Sequence, residues 1–149
     1  ESVHLRCYPE APAEWRDDDL ADKWARVRAA RRVVTGALEL ERAAKRLGSS
    51  LQAAPLVQVE DEELRRLLGE LDFAEVCITS AIELTAEDPG AEAYRYDEVP
   101  GVAVVIRLAP GEKCERCWRV LPEVGSNAEV PKTCGRCAEA VSRLGAATA

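Results

Sequence analysis

Lys113-Cys114-Glu115-Arg116-Cys117-Trp118, followed after fifteen residues by Cys134-Gly135-Arg136-Cys137, is the stretch on which the reading of this 149-residue chain turns. Two Cys-x-x-Cys turns at this separation have the spacing of a four-thiolate zinc site. Each turn aims two sulfurs at one ion about 2.3 Å away, and the pair of turns closes a tetrahedron. The spacing therefore predicts one structural Zn2+ held by Cys114, Cys117, Cys134 and Cys137, with no coordination position left for a catalytic water. A disulfide pair or an iron site are the alternatives, and no signal segment points to an oxidising compartment. Gly125-Ser126-Asn127 reads as a turn, which places a hairpin between the two pairs and a helix from about Gly135 to Leu144. Such a module has little apolar core, and metal binding worth about 10–16 kcal/mol in small fingers supplies the missing folding free energy. Cys7 and Cys77 have no partner at ligand spacing and are expected to be buried, inert thiols.

Around the ligands stand Lys113, Arg116, Arg119, Lys132 and Arg136, with Trp118 directly after the second cysteine. An aromatic plane beside cations suits an unpaired base and its phosphate. A tetrathiolate zinc centre also attracts cations for its own charge balance, so spacing alone leaves both roles open.

Upstream, Val102, Val104, Ile106 and Leu108 alternate, as do Val76, Ile78, Ser80, Ile82 and Leu84. Both stretches read as strands, with a third, an edge strand interrupted by Pro55, between Leu51 and Val59. Leu64, Leu67, Leu68 and Leu71 repeat at helical spacing behind Asp61, a natural N-cap. Three strands and one helix make a small α+β unit over 49–109, with 85–100 as a connecting loop. Residues 17–47 form the longest helical candidate, opened by Asp17, Asp18 and Asp19 and closed by Gly48. Trp24, Val27, Val34 and Leu38 lie on one stripe and Val33, Leu40, Ala44 and Leu47 on another, as expected for a helix covered on two sides in a bundle. Arg28, Arg32, Arg42 and Arg46 share a further face, a second candidate for phosphate contact.

Charge is uneven along the chain: the net −7 divides into −4 over 1–24, +5 over 25–48, −9 over 49–109 and +1 over 110–149. The acidic total thus hides two segments that a polyanion can approach. A single His excludes multi-histidine metal or catalytic sites, and no run reaches the roughly 18 apolar residues of a membrane span. The absence of Met reads as a piece of a larger polypeptide, with any catalysis elsewhere.

The sequence resembles the C-terminal end of bacterial isoleucyl-tRNA synthetases. The matching residues are Ser2-Val3-His4-Leu5 with Tyr8-Pro9, Trp24 ahead of the Arg-rich helix, and Ala37-Leu38-Glu39 leading to Lys45. Leu47-Gly48-Ser49-Ser50-Leu51-Gln52-Ala53 and Ala109-Pro110-Gly111-Glu112-Lys113 running into the cysteines complete the match. The resemblance implies an α+β chain in three parts: 1–48 as the end of a helical anticodon-binding domain, 49–109 as a small linker unit, and 110–149 as a four-cysteine zinc-binding hairpin–helix module. It also implies isoleucine tRNA and the rest of the synthetase chain as partners, a cytoplasmic setting without membrane or DNA contact, and ATP-dependent ligase and editing chemistry in domains beyond this segment. The His-x-Gly-His and Lys-Met-Ser-Lys-Ser signatures of that class do not occur in it. Tyr8, Leu47 and Gln52 replace the Trp, Ile and Glu usual at those positions. DNA glycosylases carry a zinc finger of the same layout but begin with a Pro-Glu pair, whereas Pro9-Glu10 and Pro122-Glu123 are internal here. A purely structural zinc module for protein contact is the third reading.

Overall fold

The computed structural model describes residues 2–147. Helix α1 runs Asp18–Ala43, capped by Asp17, whose carboxylate accepts from the Leu20 N–H at 2.8 Å. It ends earlier than Gly48 because Lys45 takes the left-handed conformation, φ 58°, and the Arg46 N–H turns back to the Glu41 carbonyl. Its buried face is one broad stripe: Val27, Ala30, Val33, Val34, Ala37 and Leu38. That face packs mostly on a sheet, with helices further along the chain beside it, and Leu40, expected on a covered stripe, stands exposed.

The sheet has four strands, not three, in the order β2 (Glu83–Thr85), β1 (Leu56–Val59), β4 (Val102–Val105), β3 (Tyr94–Arg95). β1 lies inside the sheet, parallel to β2 and antiparallel to β4. Pro55 precedes it, so the missing N–H interrupts no ladder. A parallel pair requires a crossover. Here the crossover is α2 (Glu62–Glu70) and the short α3 (Phe73–Cys77). Asp61 caps α2 as expected, accepting from Leu64 at 2.8 Å.

The expected strand over 73–84 is thus half helix. Asp72 accepts from the Glu75 N–H at 3.0 Å, and Phe73, Ala74 and Cys77 are buried at helical spacing. β3 arises within the segment read as a loop. Its Tyr94 ring lies against α1 where Gly36 has no side chain, since a Cβ there would fall 2.7 Å from the hydroxyl. Val57, Val59, Val102, Val104, Leu68 and Phe73 join the α1 stripe in one core.

The C-terminal module holds the β5 (Glu112–Lys113) and β6 (Val120–Leu121) hairpin and α4 (Gly135–Ala147). The hairpin encloses the first cysteine pair instead of lying between the pairs, because the Cys114–Trp118 knuckle itself makes the turn. Among the described residues no helix is long and apolar enough to cross a membrane.

Candidate metal centre

Each cysteine is placed by its local backbone. The knuckle closes with the Trp118 N–H donating to the Cys114 carbonyl and the Cys114 N–H to the Arg119 carbonyl, both at 2.9 Å. Cys134 sits at the entrance of α4 and Cys137 on its first turn. The result is a cluster of four sulfurs all within 4.8 Å of one another, with Cys114, Cys134 and Cys137 fully buried. A regular tetrahedron with arms of about 2.3 Å has edges of about 3.8 Å. The Cys117 and Cys134 sulfurs stand 3.8 Å apart, far beyond a disulfide bond, and all six cysteines are free. The donor set fits one zinc ion, which would supply a closed, non-catalytic tetrahedral anchor. Among the described residues, the apolar side chains packed against the cluster besides the cysteines are Leu121 and Val124, too few to hold it by apolar burial without a metal.

Backbone donors prepare the site for negative sulfur. The Cys134 N–H points at the Cys114 sulfur, 3.4 Å away. Burial opposes a Cys114 thiolate, but the N–H groups of Cys117, Cys134 and Arg116 outweigh it and hold this thiol down to about 6. Burial pushes Cys134 up to about 12 and Cys117 upward as well. In the metal-free protein these two therefore keep their protons at neutral pH, and zinc must displace them.

The expected cations fall into different roles. Arg116 directs Nη1 at the Cys137 sulfur, 3.5 Å away. Lys113 stands 5.1 Å above the Trp118 ring, and Trp118 itself is 61% exposed with φ 68°. Lys132 pairs with Glu115 at 2.9 Å, and Arg136 with Glu75 of α3 at 3.5 Å, all four side chains open to solvent.

Arg119 is tied to the body of the chain. Half-buried, it donates from Nη2 to the Ser80 carbonyl at 2.6 Å and so anchors the module to the body. Its Nε is buried without a partner. Ser80, missed as a functional position, is the centre of that attachment: its hydroxyl donates to the Leu51 carbonyl at 2.6 Å and accepts from the Val120 N–H at 2.7 Å. A serine among the inward positions of an otherwise apolar alternation was the available signal. Leu51 is itself fixed by a capping box, Gln52 accepting from the Gly48 and Ser49 N–H groups. The Gly-Ser-Ser-Leu-Gln segment and the zinc module are thereby joined through one hydroxyl.

The arginine face of α1 is separate from this seam. Arg32 pairs with Glu98 at 3.3 Å, Arg42 with Glu39 at 2.9 Å and Arg46 with Glu41 at 2.7 Å, while Arg28 is exposed with no ion pair among the described residues. Cys77 is buried as expected, its thiol pushed up to about 12 by desolvation, but Cys7 is exposed.

A closed four-thiolate knuckle-and-helix of this form is a zinc finger, and residues 111–140 match the family model described as the zinc finger found in FPG and IleRS. That finger alone does not separate a glycosylase from a synthetase. The chain taken whole does: it is 52% identical over 143 residues to the isoleucine–tRNA ligase of Brucella abortus biovar 1 (strain 9-941), covering 96% of this chain and 15% of that protein. The corresponding ligase of Agrobacterium fabrum (strain C58 / ATCC 33970) is 49% identical over 98% of this chain and 15% of its own length. That of Ruegeria pomeroyi (strain ATCC 700808 / DSM 15171 / DSS-3) is 51% identical over 91% of this chain and 14% of its own. The chain therefore carries an FPG/IleRS-type finger within a segment similar to isoleucine–tRNA ligases, spanning about 15% of the length of the relatives it matches.

Proposed function

We propose that this chain is the tRNA-holding, C-terminal segment of an isoleucine–tRNA ligase, acting in the cytoplasm, with amino-acid activation by ATP and editing in the rest of that polypeptide. The observation that carries the reading is the identity of about half over nearly the whole chain, continuous from α1 through the finger. In this reading residues 1–48 end an anticodon-binding domain, 49–109 form the linker unit, and 110–149 present the finger to isoleucine tRNA.

The finger suits that task physically. Zinc fixes the knuckle, which holds Trp118 outward in a left-handed conformation that a bulky residue adopts at a cost of roughly 1–2 kcal/mol. An exposed indole under a lysine offers a stacking surface for an unpaired base with a cation at hand for phosphate. Arg116, Lys132 and Arg136 stand in the same module. The surface ion pairs of Lys132 and Arg136, and those of Arg32, Arg42 and Arg46 on α1, are weak enough to exchange for phosphate, and Arg28 beside them has no ion pair among the described residues. Arg119 acts by positioning the finger.

Holding the remote part of the substrate raises the rate of acyl transfer to tRNA without touching the amino-acid site. In the full-length ligase, Trp118→Ala is expected to weaken tRNA charging and leave ATP-dependent amino-acid activation unchanged. Equal loss in both assays would overturn the assignment.

A further inference from the structure

Beside the zinc centre, at the seam between finger and body, lies a cleft of about 250 Å3 with Leu51 and Ile78 on its apolar side and Arg119, Arg136 and Glu75 on its polar side. We propose that this cleft receives one unstacked nucleobase of a single-stranded RNA, with Ile78 as the surface on which the base lies. This deepens the tRNA reading above and rests on it.

Ile78 is the first argument. It caps α3 with φ 58° and ψ 48°, and the residue is 55% exposed. A β-branched residue in the left-handed region is a true outlier, in a place where Gly or Asn would end the helix without penalty. The strained backbone here carries an apolar side chain that folding leaves largely in water. Trp118 has the same two properties, φ 68° and 61% exposure, and it follows Cys117, which also lines the cleft. Ile78 lies in the cleft, and Trp118 stands one residue beyond its lining.

The polar side decides the occupant. Arg136 reaches Glu75 only at 3.5 Å, with both side chains mostly in solvent, so its guanidinium can be captured by a phosphate. Arg119 is fixed by Ser80 and keeps its charge at the cleft wall. The volume falls below the roughly 300–1,000 Å3 of sites that enclose drug-sized ligands, and suits a single planar group. An aliphatic wall beside two guanidinium groups offers burial and a stacking plane to the face of a splayed-out base and charge to its phosphate.

The test uses the zinc-loaded chain and a synthetic isoleucine-tRNA anticodon stem–loop, read by fluorescence anisotropy, with loop bases replaced one at a time by abasic nucleotides. Wild type is expected to lose about tenfold in affinity when the seated base is removed. Ile78→Gly, which relieves the left-handed strain and leaves the melting temperature of the chain unlowered, is expected to bind the intact hairpin about tenfold more weakly and to be indifferent to that same abasic position. Wild-type affinity in Ile78→Gly, or unchanged abasic sensitivity, would overturn the cleft even where Trp118→Ala weakens binding and upholds the tRNA reading. No RNA affinity in the wild-type chain would overturn both.

Discussion

Replacing Ser80 by alanine removes one oxygen and should loosen the whole finger. The hydroxyl is fully buried and pairs at once with the Leu51 carbonyl, 2.6 Å, and the Val120 N–H, 2.7 Å. Ser80→Ala therefore leaves two backbone groups unpaired away from water, each worth about 1–3 kcal/mol. Partial relaxation of the seam brings the expected loss to about 2–4 kcal/mol, because the Arg119 bond to the Ser80 carbonyl survives the change. At about 1.4 kcal/mol per decade, amide exchange in the β5–β6 hairpin should quicken by roughly 30- to 1,000-fold. Val57 and Val104, in the central β1 and β4 strands, should keep their protection. Hydrogen exchange by mass spectrometry on the zinc-loaded chain reads both. A loss under about 0.5 kcal/mol, or equal loosening of hairpin and sheet, would refute the claim that one serine joins finger to body.

Gly111 meets β6 too closely for any side chain: at φ 103°, a Cβ would stand 2.3 Å from the Leu121 carbonyl carbon and 2.5 Å from the Pro122 nitrogen. Gly111→Ala is expected to cost about 2–4 kcal/mol by denaturant titration and to weaken zinc retention, since no flexible side chain can move aside. Zinc affinity should also climb with pH. Cys134, raised to about 12, and Cys117, raised too, must give up their protons to the metal, so at least two protons leave per ion between pH 7 and 8. Below about 6 the Cys114 thiolate is protonated as well, and affinity should fall more steeply still. Calorimetry in buffers of different ionisation heat counts the protons, and fewer than two at pH 7.5 would contradict this ordering.

The metal centre was legible because its geometry is local: two Cys-x-x-Cys turns restrict where four sulfurs can go before any tertiary contact forms. α2 was legible for the same reason, with an N-cap and a leucine period in eleven consecutive residues, Asp61 to Leu71. α3 was hidden because Val76, Ile78, Ser80 and Ile82 happen to alternate, while the residues that are buried, Phe73, Ala74 and Cys77, follow the helical period. β3 is two residues long and exists only through pairing with Val104 and Ala103, which leaves no pattern of its own. The apolar stripe of α1 marks which face is covered but not what covers it, so its packing on the sheet was not legible. The division of labour among the finger's cations was hidden too, since Arg119 and Arg136 are engaged by Ser80 and Glu75 from about 40 and 60 residues earlier.

All of this requires that four sulfurs surround one ion. X-ray absorption at the zinc edge of the purified, native chain, together with metal analysis, tests it most directly. The expected result is one zinc per chain with four sulfur neighbours at about 2.3 Å and no light-atom ligand. Nitrogen or oxygen in the inner shell, or a metal-free protein whose finger is nonetheless folded, would contradict it.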